Sequence, residues 1–209
     1  MKFRALLLIL FASHCLAYGQ SGFNDSISAS RNQLTRQAMV VLGSWSVANI
    51  ASGFLIAGTT QGQDKYVWRM NAYWNIFNLG IAGLGYHSLI KTAGRKWSLA
   101  ENNTSQQAIE KLYLFNAGLD LVYITGGLYL RESGKNQSRP DKKAQLSGYG
   151  TAVILQGTFL LAMDAVLFSL HHKNTTRVNN RIRELDLKAG PGSFSLTYSF
   201  CSARGIATK

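Results

Sequence analysis

Hydrophobic and polar positions are strongly segregated along the chain. Residues 37–63 contain no Asp, Glu, Lys or Arg, and residues 70–90 contain none either, with only His87 near their end. Residues 112–130 carry the single charge of Asp120, and residues 144–172 carry only Asp164 before the closing pair His171 and His172. At ~1.5 Å of rise per residue, each stretch is long enough for a helix to cross a hydrocarbon layer about 30 Å thick. Charged residues collect in the connections, residues 64–69, 91–111 and 131–143. Connections this short make successive helices antiparallel neighbours, so the pattern predicts an up-and-down bundle over residues 37–172. A water-soluble bundle would need a charged stripe along each helix, which these windows lack. Glycines inside them, such as Gly80 and Gly83, Gly126 and Gly127, and Gly148 and Gly150, suit close helix approach in lipid.

The two ends read differently. Lys2 and Arg4 precede an apolar run over residues 5–12 and small residues at Ala17 and Gly19, the layout of a secretory signal peptide over residues 1–19. His14 makes Cys15 a poor site for lipid attachment. Residues 20–36 form an amino-terminal segment. Beyond His172, residues 173–183 read as a basic linker. Leu185, Leu187 and Ala189 then alternate with Asp186 and Lys188, and Phe194, Leu196, Tyr198 and Phe200 alternate with Ser and Thr, around Gly190, Pro191 and Gly192. Period two on both sides of such a turn predicts a β-hairpin over residues 184–200, followed by a disordered tail over 201–209. Two strands alone are marginal in water, so this hairpin is expected to cover its apolar face on the helix ends or on a protein partner bound through Leu185–Phe200. The expected fold class is therefore an all-α membrane protein, an antiparallel four-helix transmembrane bundle with a C-terminal β-hairpin.

Composition sharpens this picture. Among 209 residues, 22 are Lys or Arg and 10 are Asp or Glu, a net charge of +12, yet only 15% are charged against 46% hydrophobic. That is too few charges for an ordinary water-facing surface. The basic excess flanks the apolar windows, where anionic lipid headgroups account for it, so the expected partner is a lipid bilayer and no nucleic acid. A cleaved leader would leave Lys65, Arg69, Arg131 and Lys135 on the cytoplasmic side, which the positive-inside rule favours, and points to a bacterial inner membrane. Two cysteines far apart, Cys15 and Cys201, exclude a disulfide scaffold and a cysteine-based zinc site.

Candidate chemistry lies at depth. Asn49, Asn78 and Asp120 each fall within two residues of the centre of their windows, within about 3 Å of the midplane, and Asp164 lies roughly 9 Å to one side. Asn71, Asn75 and Asn78 share one helix face, as do Asn116, Asp120 and Tyr123. Asn49, Asn75, Asn78, Asn116, Asp120 and Asp164 are thus the polar-core or ligand candidates. Interhelical adhesion is the plain reading of such residues, and a ligand, ion or proton site is the sharper one. His87, His171 and His172 end their spans on one side, where a metal or haem is conceivable. No HxxxH, HExxH or CxxCH spacing accompanies them, so no cofactor or metal is expected, and without a P-loop or a GxSxG elbow no catalytic residue is assigned. The expected role is a non-enzymatic binding or structural component of the cell envelope. The alternatives are a small transporter or channel with an Asn/Asp-lined path and, less favoured, a haem- or quinone-linked oxidoreductase.

The run Met70, Asn71, Ala72, Tyr73, Trp74, Asn75, Ile76, Phe77, Asn78, with Ile81, Ala82, Gly85 and Tyr86 following, resembles a family of small bacterial four-helix membrane proteins of unknown function. Phe115, Asn116, Asp120 and Tyr123, and the closing Gly-Pro-Gly strand that ends at Phe200, are similar too. The resemblance spans about residues 31–200 and implies a four-helix envelope protein without supplying an activity. The nine residues after Phe200 depart from the family's ending.

Overall fold

The computed structural model describes residues 2–190 and 193–198, with side chains placed over residues 22–183. Four helices follow one another: α1, Lys2–Thr59; α2, Gly62–Lys91; α3, Leu99–Lys135; and α4, Pro140–Glu184. Their breaks have local causes. Gly62 turns the chain into α2 at φ +60°, a left-handed conformation that glycine adopts without strain. Ser98 opens α3 with a capping box: its Oγ accepts from the Glu101 N–H at 3.2 Å, and its own N–H donates to Glu101 Oε2 at 2.9 Å. That backbone N–H, with Arg95 and the Ser98 hydroxyl behind it, holds the Glu101 carboxyl down at about 2. Pro140 starts α4 in the first turn, where its missing N–H has no intrahelical partner to lose.

The helices alternate in direction. Helix α1 packs along α2, α3 packs along α4, and α4 also lies against α2, whereas α2 and α3 have no extensive contact. A Cβ placed on Gly127 would lie 2.7 Å from the Gly150 carbonyl oxygen and 2.7 Å from Ile154 Cγ1, so only glycine permits the α3–α4 approach there. Gly148 touches the Gln63 carbonyl and Tyr66 of α2 in the same way. Gly80, Gly83 and Gly126, expected to serve the same purpose, face open space.

The expected fold class requires correction at its carboxy-terminal end. Residues 22–183, where side chains are placed, are four helices and their connecting turns, with no strand among them, so the packed fold is an all-α four-helix bundle and a C-terminal β-hairpin is not part of it. Past Glu184, only the backbone of Leu185–Gly190 and Ser193–Tyr198 is described, running extended with Leu187 opposite Leu196. The basic stretch 173–183 is helical rather than a linker: it contains no Gly or Pro, Val178 is fully buried, and Asn174 Nδ2 donates to Ser30 Oγ of α1 at 3.0 Å. Residues 20–36 are likewise continuous with the helix that follows. The tail over 201–209, with Cys201, lies outside the described residues, as do the side chains of the amino-terminal 21.

Among the described residues, two helical stretches are long and apolar enough to cross a membrane, Gly22–Thr59 and Pro140–Arg183, with mean hydropathies of 1.7 and 1.9 over their most apolar windows. Helices α2 and α3 carry the Asn stripe and Asp120, which lower their average.

Candidate binding site

The interior of the bundle is polar. Asn71, Asn75 and Asn78, spaced to share one face of α2, are all buried, and so are Asp120 of α3, Gln156 and Asp164 of α4. The outside is apolar: Leu55, Phe77, Leu84 and Tyr129 are each more than 70% exposed. Among the described residues the apolar core is small, with Ala38, Tyr113 and Leu167 at its centre.

Gln156 is the hub of the inner polar layer. Its Oε1 accepts from Trp45 Nε1 of α1 at 3.0 Å, and its Nε2 donates to Asn71 Oδ1 of α2 at 3.1 Å and reaches Asn49 Oδ1 at 3.5 Å. Asn49 and Asn75 also donate to carbonyls of their own helices, Trp45 and Asn71, at 2.9 and 2.8 Å, and Asn78 Nδ2 donates to Asn75 Oδ1 at 3.4 Å. These amides tie α1, α2 and α4 together.

A second group faces a cavity. Between α2 and α3, where the helices diverge, lies a groove of about 890 Å³ whose floor includes Asn78, Asn116, Asp120 and Asp164. Its walls are apolar and aromatic, with Trp74, Phe77, Tyr113, Tyr123 and Met163 among them. Trp74 and Tyr123 meet edge to face across the gap, ring centroids 4.8 Å apart. Asp120 and Asp164 are 2% and 4% exposed, and both line this groove. No protein donor reaches Asp120 Oδ2. The structure thus brings Asp120 and Asp164 together from different helices with Asn78 and Asn116 beside them, and leaves Asn49 and Asn75 to the Gln156 layer.

Toward the end of the bundle where α1 begins and α4 finishes, a third cluster links α1, α3 and α4. His171 is fully buried, its ring stacked on Tyr113 with centroids 5.4 Å apart, and Gln106 Nε2 donates to the His171 carbonyl at 3.0 Å and faces its Nδ1 at 3.2 Å. Arg31 Nη1 donates to Asn102 Oδ1 at 2.8 Å, and its guanidinium lies over the Trp97 ring. His172 points outward, its Nδ1 at 3.2 Å from Glu110 Oε1, and His87 is exposed. The three histidines therefore have separate surroundings, and among the described residues no three His, Cys, Asp or Glu side chains gather as metal ligands.

Sequence reasoning passed over Gln156, Gln106, Asn102 and Arg31. Gln156 was the one with a visible signal, as an amide near the middle of the fourth apolar window. The others lie beyond the windows, Asn102 and Gln106 in a stretch that reads as a connection and Arg31 in the amino-terminal segment.

Residues 41–165 match a family of unknown function. No curated protein and no solved structure matches the chain.

Proposed function

We propose that this chain, which belongs to the DUF6992 family of unknown function, is an integral membrane protein that binds a small molecule in the groove between α2 and α3. The observation that carries the reading is the inverted distribution of side chains, polar inside and large apolar residues outside, around a buried carboxyl pair. In water an outer surface bearing Phe77, Leu84, Leu121 and Val122 would be unfavourable by about 25 cal/mol for each Å² of apolar area, whereas in lipid it costs nothing. In lipid, by contrast, Asn and Asp side chains turn inward to find partners. The basic connections on both sides of the apolar belt fit anionic headgroups, as in the bacterial inner membrane expected above.

A binding role is supported by the cavity itself, lined along α2 from Met70 to Gly85 and along α3 from Ile109 to Tyr123. Its size lies in the range of small-molecule sites, ~300–1,000 Å³, and its lining is mostly apolar with a few convergent polar groups. The test of membrane integration is extraction of membranes from cells expressing the full chain. Integration predicts that the protein stays in the pellet in alkaline carbonate and enters solution only with detergent. Release by carbonate alone would overturn the reading.

A further inference from the structure

We infer that the α2–α3 groove takes a lipophilic organic cation, held at its charged end by Asp120 and Asp164 and along its body by the aromatic wall. The inference rests on the reading of a membrane-embedded binding groove. Asp120 and Asp164 are buried and adjacent, and no Lys or Arg occurs in any of the four apolar stretches, 37–63, 70–90, 112–130 and 144–172. The pair is neutral only with both carboxyls protonated, and loss of either proton leaves it negatively charged. Unlike most buried carboxylates, it has no cationic side chain at its depth, and one of its oxygens, Asp120 Oδ2, meets no protein donor. Once a proton is lost, the counter-charge has to come from outside the chain.

The cavity selects the kind of cation. A bare metal ion would give up its hydration shell for two carboxyl groups, with no third acidic or imidazole ligand among the described residues to replace it. An organic cation keeps its charge spread over apolar substituents and needs no such shell. Aromatic ring faces attract such charges by about 0.5–2 kcal/mol each, and Trp74, Tyr113 and Tyr123 stand around the same space as the carboxyl groups. Trp74 and Tyr123 bridge the groove from opposite helices, so a bound molecule would be framed by rings from both walls. An anionic amphiphile is opposed by the same carboxyl pair.

The experiment uses the full chain in phosphatidylcholine nanodiscs and two probes of nearly equal size and shape, tetraphenylphosphonium and tetraphenylborate, with binding to empty discs subtracted. Saturable binding of the phosphonium, at least about tenfold tighter than that of the borate, is the expected result. In the double variant Asp120→Asn, Asp164→Asn, which preserves side-chain shape, phosphonium affinity should fall by about tenfold or more. Equal binding of both probes, binding of neither, or unchanged phosphonium affinity in the double variant would overturn the inference. If that variant does not fold, the comparison of the two probes on the unaltered protein decides alone. Failure of the chain to remain in the discs would instead overturn the membrane reading, so the two failures are told apart by disc retention.

Discussion

Gln156 has no side-chain atom in contact with solvent, yet it satisfies both ends of its amide by linking three helices. Replacing it with Leu would keep the volume and strand the Trp45 indole N–H and Asn71 Oδ1. A buried polar group left without a partner costs about 1–3 kcal/mol. Gln156→Leu should therefore lower the thermal stability of the detergent-solubilised protein by that order. Thr158→Val, at an exposed position whose hydroxyl bonds only to the Ile154 carbonyl of its own helix, should leave the melting temperature unchanged. Equal melting of both variants would show that the amide layer does not hold the bundle. The same logic separates Gln156 from Asp120: Gln156 is fully engaged by the protein, whereas Asp120 Oδ2 is buried without a donor.

At the scale of the helix, pairing depends on where a side chain is missing. Gly127 and Gly150 let α3 and α4 meet backbone to backbone, whereas Gly126, one residue away, points to open space. Gly127→Ala should destabilise the bundle by about 1–3 kcal/mol, since neither the Gly150 carbonyl nor the Ile154 backbone N at 3.0 Å can move aside without shifting the helix. Gly126→Ala should be neutral or slightly stabilising, alanine being the better helix former by up to ~1 kcal/mol. Thermal melts of the two variants side by side check this. Sequence could locate the glycines but not sort them, because neighbouring positions on a helix differ by about 100° and only the partner's position says which one it meets. The carboxy-terminal region shows the opposite failure. Residues 173–183 look like a linker from their charge, but without Gly or Pro, and with Val178 buried, they extend α4 instead.

For the molecule as a whole, the decisive quantity is which medium meets the belt of large apolar residues. Leu121 of α3 is 55% exposed within that belt, and Gln107 is exposed on the same helix before it. An arginine at the centre of a span costs at least ~2.5 kcal/mol in membrane insertion. Leu121→Arg should accordingly reduce the carbonate-resistant fraction, while Gln107→Arg should not. A protein folded in water would respond to neither in this assay, and Leu121→Arg would even improve its solubility.

Segregation of charge along the chain determined a great deal by itself: four helical stretches, their antiparallel order, and the polar faces built from Asn71, Asn75 and Asn78 and from Asp120. Those properties depend on composition and on the 3.6-residue period, both of which are local. Tertiary structure decided which polar groups meet. Asp120 and Asp164 are 44 residues apart and become neighbours only because α3 and α4 pack through their glycines, while α2 and α3 splay to leave a groove above them. Gln156 found its partners, and His87 was separated from His171, for the same reason. A helix face announces that it will be buried, but the rotation and spacing of the helices around it are set by side-chain volumes on several segments at once, and no single stretch of sequence contains them.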